Sequence, residues 1–382
     1  MVVRTLTHGD RVLIAGGYGR AGTDVARTLR DHLPELGLRI GGRNPERARR
    51  LAERLEAEAE SAGASNLANV EAVALDTARP ASLARALDGC TLLIGASPLS
   101  GDQGRTMLEV ALDAGVDVLD LVPDAAKRRA FAALEARLRS RGRVAVIEAG
   151  FNPGLPAVLT RWAATRVSAP ARVRIASLYS DRAISEAGVR DILEHMELGG
   201  ERFAEGRWRR SGPLALQRID YGAGFGRRLS LPISLPELRA LPQRLGLRQL
   251  DLYSAGFNPV ADTFLALSTM LAAKRNERTA AAATRAIRFG LRCTPPPFGG
   301  AMRVQAQGNG NGDDLDLTLH HPDLYRATAI SVVAGVEQLL LGRIAAPGGF
   351  LGHAVQPGPF MAALERLGMR AAWRSSRPTS PG

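Results

Sequence analysis

The sequence predicts an α/β protein: an N-terminal doubly wound parallel sheet, a second α+β domain, and a C-terminal return to the first domain. Three observations carry this. Residues 12–15, Val-Leu-Ile-Ala, are an apolar run that breaks into Gly17-x-Gly19-x-x-Gly22, and Val25, Ala26 and Leu29 then follow at helical spacing. The same strand–helix alternation recurs until about residue 148, the pattern of a parallel sheet covered on both faces. After residue 155 the texture changes to short strands, prolines and longer helices.

Residues 11–15 read as strand one and 22–32 as helix one, with Pro34 beyond it as a stop. Residues 38–42 are strand two, ending in Gly41-Gly42-Arg43-Asn44. Helix two starts at Pro45, a residue suited to a first helical turn, and its Glu/Arg-rich run to Ala62 reads as a solvated face. Strand three is 70–75, a short helix 80–87 and strand four 91–95, with Ala96-Ser97-Pro98-Leu99 as the polar break at its end. A helix at 104–114, strand five at 116–121, a helix at 124–141 and strand six at 143–148 complete the domain. Beyond it, 172–178 reads as a strand, 186–198 as a helix, and 206–210 and 217–219 as short strands; Pro232, Pro236 and Pro242 punctuate a loop-rich region. Residues 263–289 are helical, Pro295-Pro296-Pro297 is a rigid break, and 302–307 with 315–319 flank an Asn-Gly repeat as a hairpin. Residues 323–341 form an apolar helix and 359–367 a short one. The expected domains are 1–152, 153–322, a segment 323–370 packing back on the first domain, and a Ser/Pro/Arg-rich disordered tail at 371–382.

The 382 residues carry a net charge of +12, and of the 50 basic residues only Lys127 and Lys274 are lysine. The arginines are scattered and aromatics are few, unlike the one-sided basic face of a nucleic-acid binder. The excess suits attraction of an anionic cofactor or substrate. Cys90 and Cys293 lie far apart without metal-ligand spacing, so neither a disulfide framework nor a metal is expected. No signal-peptide core and no membrane-length apolar run occur, so the expectation is a cytoplasmic protein without a membrane partner.

The glycine turn has the context of a Rossmann dinucleotide fingerprint. Gly17 is expected to make the tight turn, Gly19 to admit a pyrophosphate and Gly22 to bring the helix onto the strand. Tyr18, Arg20 and Ala21 complete that stretch, and the helix N-terminus favours phosphate. At the end of strand two, where NAD binders place a carboxylate, stand Arg43 and Asn44, with no acidic residue before Glu46. This favours NADPH, with NAD possible; the alternative is that Arg43 stacks on adenine or points to solvent. Asp76 and Thr77 either border the adenine or start the next helix, and Ala96, Ser97 and Pro98 lie where a nicotinamide ribose would run. Asp120 either accepts a hydrogen bond from substrate or cofactor or serves as a cap. Phe151-Asn152-Pro153-Gly154 leads into the second domain, making Asn152 a candidate for the catalytic site or a plain turn residue. Ser-His-Asp order, a Walker loop, HExxH and Tyr-x-x-x-Lys do not stand out, so the second domain is expected to bring the acid or base. His320 and His321 are the candidates, His321 the chosen one, against a turn-and-helix-start role. His195 reads as packing, and Tyr221, Tyr253 and Asn258 are unranked.

The pattern resembles the saccharopine dehydrogenase/reductase family. The likeness rests on residues 12–22 with Ala26, on Gly41-Gly42-Arg43-Asn44, on Ala114-Gly115-Val116-Asp117-Val118-Leu119-Asp120 and on Gly150-Phe151-Asn152-Pro153-Gly154-Leu155. The closing helix 326–341, then Pro347-Gly348-Gly349, then Pro359-Phe360 to Leu367-Gly368, also fits. Gly17-Tyr18-Gly19 departs from the family's commoner small-residue turn, and the likeness is faint from about 160 to 320. The resemblance implies an NAD(P)-dependent oxidoreductase that passes hydride to an imine or carbonyl carbon of a small-molecule substrate. It also implies a homodimer, and Arg182 or Arg190 are candidates to hold a substrate carboxylate. Two other classes stay open: a non-catalytic NAD(P)-binding sensor or scaffold, and a C=C or C=O reductase of lipid or secondary metabolism.

Overall fold

The structure is a computed structural model and describes residues 10–63, 67–99, 102–186, 188–189, 200–212, 215–222, 224–270, 277–309 and 314–376. The chain forms two compact units, Met1–Val158 with Thr328–Leu367, and Leu159–Ala327 with Gly368–Gly382.

In the first unit strand and helix alternate: β1 (Arg11–Ala15), α1 (Arg20–His32), β2 (Gly37–Gly42), α2 (Pro45–Ser61), β3 (Val70–Ala74), α3 (Pro80–Leu87), β4 (Leu92–Gly95), α4 (Gln103–Asp113), β5 (Asp117–Asp120), α5 (Ala125–Ser140) and β6 (Ala145–Ile147); α6 (Leu155–Ala164) starts in this unit and continues into the second. The second unit follows with β7 (Pro170–Ser180), β8 (Glu201–Ala204), β9 (Arg207–Arg210), β10 (Gln217–Asp220), β11 (Arg227–Pro232), a 3₁₀ turn at Pro236–Leu238, α7 (Leu241–Leu245), β12 (Gln249–Ala255), α8 (Pro259–Met270), α9 (Glu277–Leu291), β13 (Gly299–Gly308) and β14 (Asp314–His321). The helix α10 (Leu324–Leu340), β15 (Gly348–Phe350), α11 (Leu351–Ala354) and α12 (Pro357–Arg366) return to the first unit, and β16 (Arg370–Ser375) rejoins the second.

The first sheet has the order β3-β2-β1-β4-β5-β6-β15, and all its neighbours are parallel. Its central strands are continuous apolar runs because helices cover both faces: Val12, Leu13, Ile14, Leu93 and Ile94 are fully buried. Local chemistry sets the helix starts. Pro45 opens α2 behind Asn44, whose side chain accepts the Arg47 N–H at 3.0 Å, and Asp124 caps α5 in the same way. The reversal of strand order between β1 and β4 is the switch point at which this architecture binds ligands. The second sheet is mixed, ordered β10-β11-β12-β7-β13-β14-β16, with β8 on β12 and β9 on β8.

Four expectations change. The first sheet gains a seventh strand, β15, from the Gly348-Gly349 stretch, which pairs with β6. The single helix expected at 263–289 is two helices, α8 and α9, with residues 271–276 outside the described residues. The loop-rich stretch around Pro232 and Pro242 contains β11 and β12, and β12 lies parallel to β7. The tail is not disordered from residue 371: β16 pairs with β14, and Trp373 meets Trp162 edge-on with ring centroids 5.9 Å apart. The first stretch of the first compact unit runs to Val158. The expected helix 186–198, with Arg190 and His195, falls almost entirely outside the described residues. Among the described residues no helix is long and apolar enough to cross a membrane.

Candidate functional site

In the turn between β1 and α1, Gly16, Gly17 and Gly19 stand where a Cβ would crowd neighbouring atoms, and only Tyr18 carries a side chain. Gly16, not Gly17, takes the left-handed conformation, with φ +80°, which corrects the assignment of the tight turn to Gly17. Gly16 and Gly17 N–H both donate to Gly41 O, at 2.9 and 3.1 Å, and Gly19 N–H donates to Gly16 O at 2.9 Å. A Cβ on Gly22 would stand 2.3 Å from Gly16 O, and one on Gly19 3.0 Å from the same atom. Gly22 therefore sets the close approach of α1, as its spacing predicts. Gly19 is the N-cap without a side chain, so the N–H groups of the first turn, from Arg20 through Ala21 to Gly22, point out of the helix at its positive end. Uncovered backbone at a helix start is the surface a pyrophosphate needs, so these residues fit a dinucleotide. On the other side Ser97 Cβ lies 2.8 Å from where a Gly16 Cβ would be, Ala96 N–H donates to Ala15 O at 2.9 Å, and Pro98 is exposed.

Tyr18 reaches from this turn to the end of β2. Its ring lies on Gly42, where a Cβ would stand 2.2 Å from Tyr18 Cε1. Its hydroxyl accepts the Asn44 backbone N–H at 2.9 Å, and the Arg47 guanidinium carbon sits 4.7 Å from the ring centroid, a cation–π contact. Arg43 beside them is exposed and makes no hydrogen bond, ion pair or ring contact among the described residues. At the end of β3, Asp76 closes its own turn: Oδ1 accepts the Ala78 N–H at 3.1 Å, and Arg79 pairs with the carboxylate at 3.4 Å. The N-cap of α3 is Arg79, not Asp76 or Thr77, and Thr77 is half-exposed.

Asp120 lies inside the first unit, away from solvent. It is wholly buried at the end of β5, ion-paired to the Lys127 ammonium, and Oδ1 also accepts the Val122 N–H at 2.8 Å. Lys127, only 1% exposed, donates as well to Val122 O at 3.0 Å. Oδ2 has no hydrogen-bond partner among the described residues and faces Gly95, where a Cβ would be 2.0 Å away. Burial pushes the Asp120 carboxyl above its usual range, and Lys127 pulls it back. The pair ties the end of β5 to the first turn of α5, the kind of contact the structural alternative for Asp120 describes. The partner was missed, although its signal was present: Lys127 is one of two lysines among 50 basic residues.

Asn152 is half-buried in the turn between β6 and α6. That turn is tightly folded: Gly154 has φ +123°, and a Cβ there would stand 2.4 Å from Gly150 O. Just before it Glu148, with φ +55°, holds a left-handed conformation rare for a side-chain-bearing residue and pairs with Arg128.

In the second unit His321 belongs to the turn that starts α10. Its Nδ1 accepts the Asp323 N–H at 3.0 Å, and Asp323 Oδ1 accepts the N–H groups of Tyr325 and Arg326 at 2.8 and 2.9 Å. These contacts occupy Nδ1 in the turn that starts the helix, as the helix-start alternative describes. Asn258 likewise accepts the Val260 and Ala261 N–H groups, each at 3.0 Å, and buried Tyr221 hydrogen-bonds Ser230 at 2.9 Å. Arg182 donates to Thr294 O at 2.8 Å and stacks on Phe298. Burial lowers the pKa of both His320 and His321 from 6.5. Below that value the unfolded chain therefore binds more protons than the folded one, and stability falls as pH drops through the folded values. A series of melting curves between about pH 7.5 and 5 is expected to show this acid loss, and His320→Gln to flatten it; an unchanged slope would exclude His320 as a contributor.

A parallel sheet with a bare glycine turn at its switch point and an arginine at the end of β2 defines a dinucleotide-binding Rossmann domain. Residues 12–146 match the family model of the saccharopine dehydrogenase NADP binding domain, so this part of the chain is similar to that domain. No curated protein matches the sequence. Among solved structures the chain is similar to GenD2 from gentamicin A biosynthesis in complex with NAD, at 13% identity over 96% of this chain and 95% of that one, with a TM-score of 0.44. It is also similar to an oxidoreductase from Sinorhizobium meliloti, at 11% identity over 97% and 100%, TM-score 0.42. A dehydrogenase from Chromobacterium violaceum aligns at 10% identity over 94% and 93%, TM-score 0.41.

Proposed function

We propose that the chain is an NADPH-dependent oxidoreductase that delivers hydride to an imine or carbonyl carbon of a small metabolite. The observation that carries this reading is one corner of the first unit: the glycine turn from Gly16 to Gly22 stands beside an exposed Arg43 that has no partner among the described residues, with no carboxylate at the end of β2. An acidic residue there would accept from a ribose hydroxyl and repel a 2′-phosphate; a guanidinium does the reverse. The backbone of Gly17, Tyr18, Gly19, Arg20, Ala21 and Gly22 holds the pyrophosphate, and Arg43 and Asn44 take the 2′-phosphate. Asp76 and Thr77 border the adenine, and Ala96, Ser97 and Pro98 flank the nicotinamide ribose. Asn152 offers its amide to the substrate. When bound, the nicotinamide supplies the hydride, while the protein supplies orientation and exclusion of water.

Fluorescence titration is expected to show NADPH bound at least about tenfold more tightly than NADH, the work of one charge-assisted contact. Arg43→Glu is expected to reverse this, weakening NADPH by about a hundredfold and NADH by less than about threefold. Equal loss of both would remove the basis for NADPH preference. The reaction is tested by mixing protein, NADPH and a panel of amine–carbonyl pairs and following nicotinamide absorbance. Consumption with a new C–N bond in the product supports imine reduction. Tight binding without consumption by any pair, carbonyl or alkene favours the sensor.

A further inference from the structure

We propose that the Tyr18 hydroxyl is a further ligand of the cofactor's 2′-phosphate beside Arg43 and Asn44, which makes Tyr18 a specificity-determining residue; this rests on the nucleotide reading above. The residue between the first two glycines of the fingerprint needs no side chain to form the turn. Here it carries a phenol that spans the distance to the neighbouring strand end. Gly42 admits the ring, since any Cβ there would lie 2.2 Å from Tyr18 Cε1. The Asn44 N–H, donating at 2.9 Å, then fixes the phenol oxygen at the carboxyl end of β2. In this architecture that is the place where the adenosine ribose 2′ substituent is read.

A tyrosine oxygen that accepts one hydrogen bond keeps its own O–H proton to give. Among the described residues nothing accepts that proton. The surroundings suit an anion and not a neutral hydroxyl. Arg47 stacks its guanidinium on the same ring at 4.7 Å, and Arg43 stands exposed one residue before Asn44, without an ion-pair partner among the described residues. A phosphate monoester placed there would receive one O–H and face two cations, whereas a ribose hydroxyl would gain little from either. The competing reading is a brace: the ring only fills the space over Gly42, and its hydroxyl only ties down Asn44. A brace would serve both nicotinamide cofactors equally, so the two readings differ in a measurable ratio.

Calorimetric titration of the full chain with 2′,5′-ADP and 5′-AMP separates them without any reaction. Tyr18→Phe keeps the ring, the Gly42 contact and the Arg47 stack. It is expected to weaken 2′,5′-ADP and NADPH by about ten- to thirtyfold, the worth of a hydrogen bond to a charged group, and 5′-AMP and NADH by less than about twofold. Gly42→Ala, which must evict the ring, is expected to give the same selective loss, and to add no further selectivity change in the Tyr18→Phe background. Equal losses for both nucleotides would establish the brace and overturn the proposal. Unchanged or tighter 2′,5′-ADP binding would overturn it too, the latter by showing that the phenol competes with phosphate for the Asn44 N–H. If the parent chain prefers 2′,5′-ADP and loses that preference in Arg43→Glu but not in Tyr18→Phe, this inference fails and the NADPH reading stands. If the parent chain binds no nucleotide, both fail.

Discussion

Gly22→Ala is expected to weaken NADP(H) binding by at least about a hundredfold and to destabilise the first unit by about 2–3 kcal/mol, as overpacked sites do. The added Cβ would stand 2.3 Å from Gly16 O, 2.9 Å from Gly17 Cα and 3.0 Å from Gly16 C. All three are backbone atoms, so no side chain can swing aside. Either the turn moves or α1 slides away from it. The helix is held by Val25, Ala26 and Leu29, all fully buried, so sliding would open their packing against the sheet. Moving the turn would misplace the N–H groups of the first helical turn, which lose value steeply with distance and angle. Both routes cost nucleotide binding. Gly358→Ala in α12, where a Cβ meets nothing within 4 Å, is the control and is expected to be neutral or slightly stabilising. Nucleotide titration and thermal melting of both variants check this; undiminished binding by Gly22→Ala would mean the turn does not seat the diphosphate.

Lys127→Met is expected to cost about 3–5 kcal/mol, because it leaves the Asp120 carboxylate buried without its counter-ion. That is a large share of the roughly 5–15 kcal/mol by which a folded protein is stable. The remaining contact, one N–H from Val122 at 2.8 Å, does not replace an ammonium, and Oδ2 already lacks a partner among the described residues. Adding Asp120→Leu to Lys127→Met is expected to recover most of the loss, since apolar groups of similar volume tolerate such a site. Denaturant unfolding of the single and double variants measures both quantities. A loss below about 1 kcal/mol for Lys127→Met would mean that burial already keeps Asp120 protonated and that the pair is not ionic. No recovery in the double variant would show that the lysine stem, rather than its charge, supports the turn.

The first unit was legible in the sequence because its signals are local. An apolar run of strand length, a proline at a first helical turn and an acidic N-cap act within a few residues of themselves. Accordingly β1, α2 and α3 fall within a residue or two of their expected bounds. The second unit was less legible. Its strand β12 pairs with β7, some 80 residues earlier, and β8 and β11 are short and half-exposed, so neither alternation nor turn residues announce them. Strand β15 is three residues, two of them glycine; it is a strand because the edge of β6 supplies its hydrogen-bonding partners. The tail composition of β16 suggested disorder, yet the open edge of β14 orders it.

The same division runs through the candidate site. The glycine spacing, the helix that follows it and the arginine after strand two were readable from residue order alone, because backbone conformation and helix polarity are properties of neighbours in the chain. Which glycine carries the positive φ, the reach of Tyr18 to Asn44, the sealing of Asp120 by Lys127 and the use of His321 in a helix start were decided only when the chain folded. Hydrogen-bond partners and burial depend on which surfaces meet, and residue order states only which groups are available to meet.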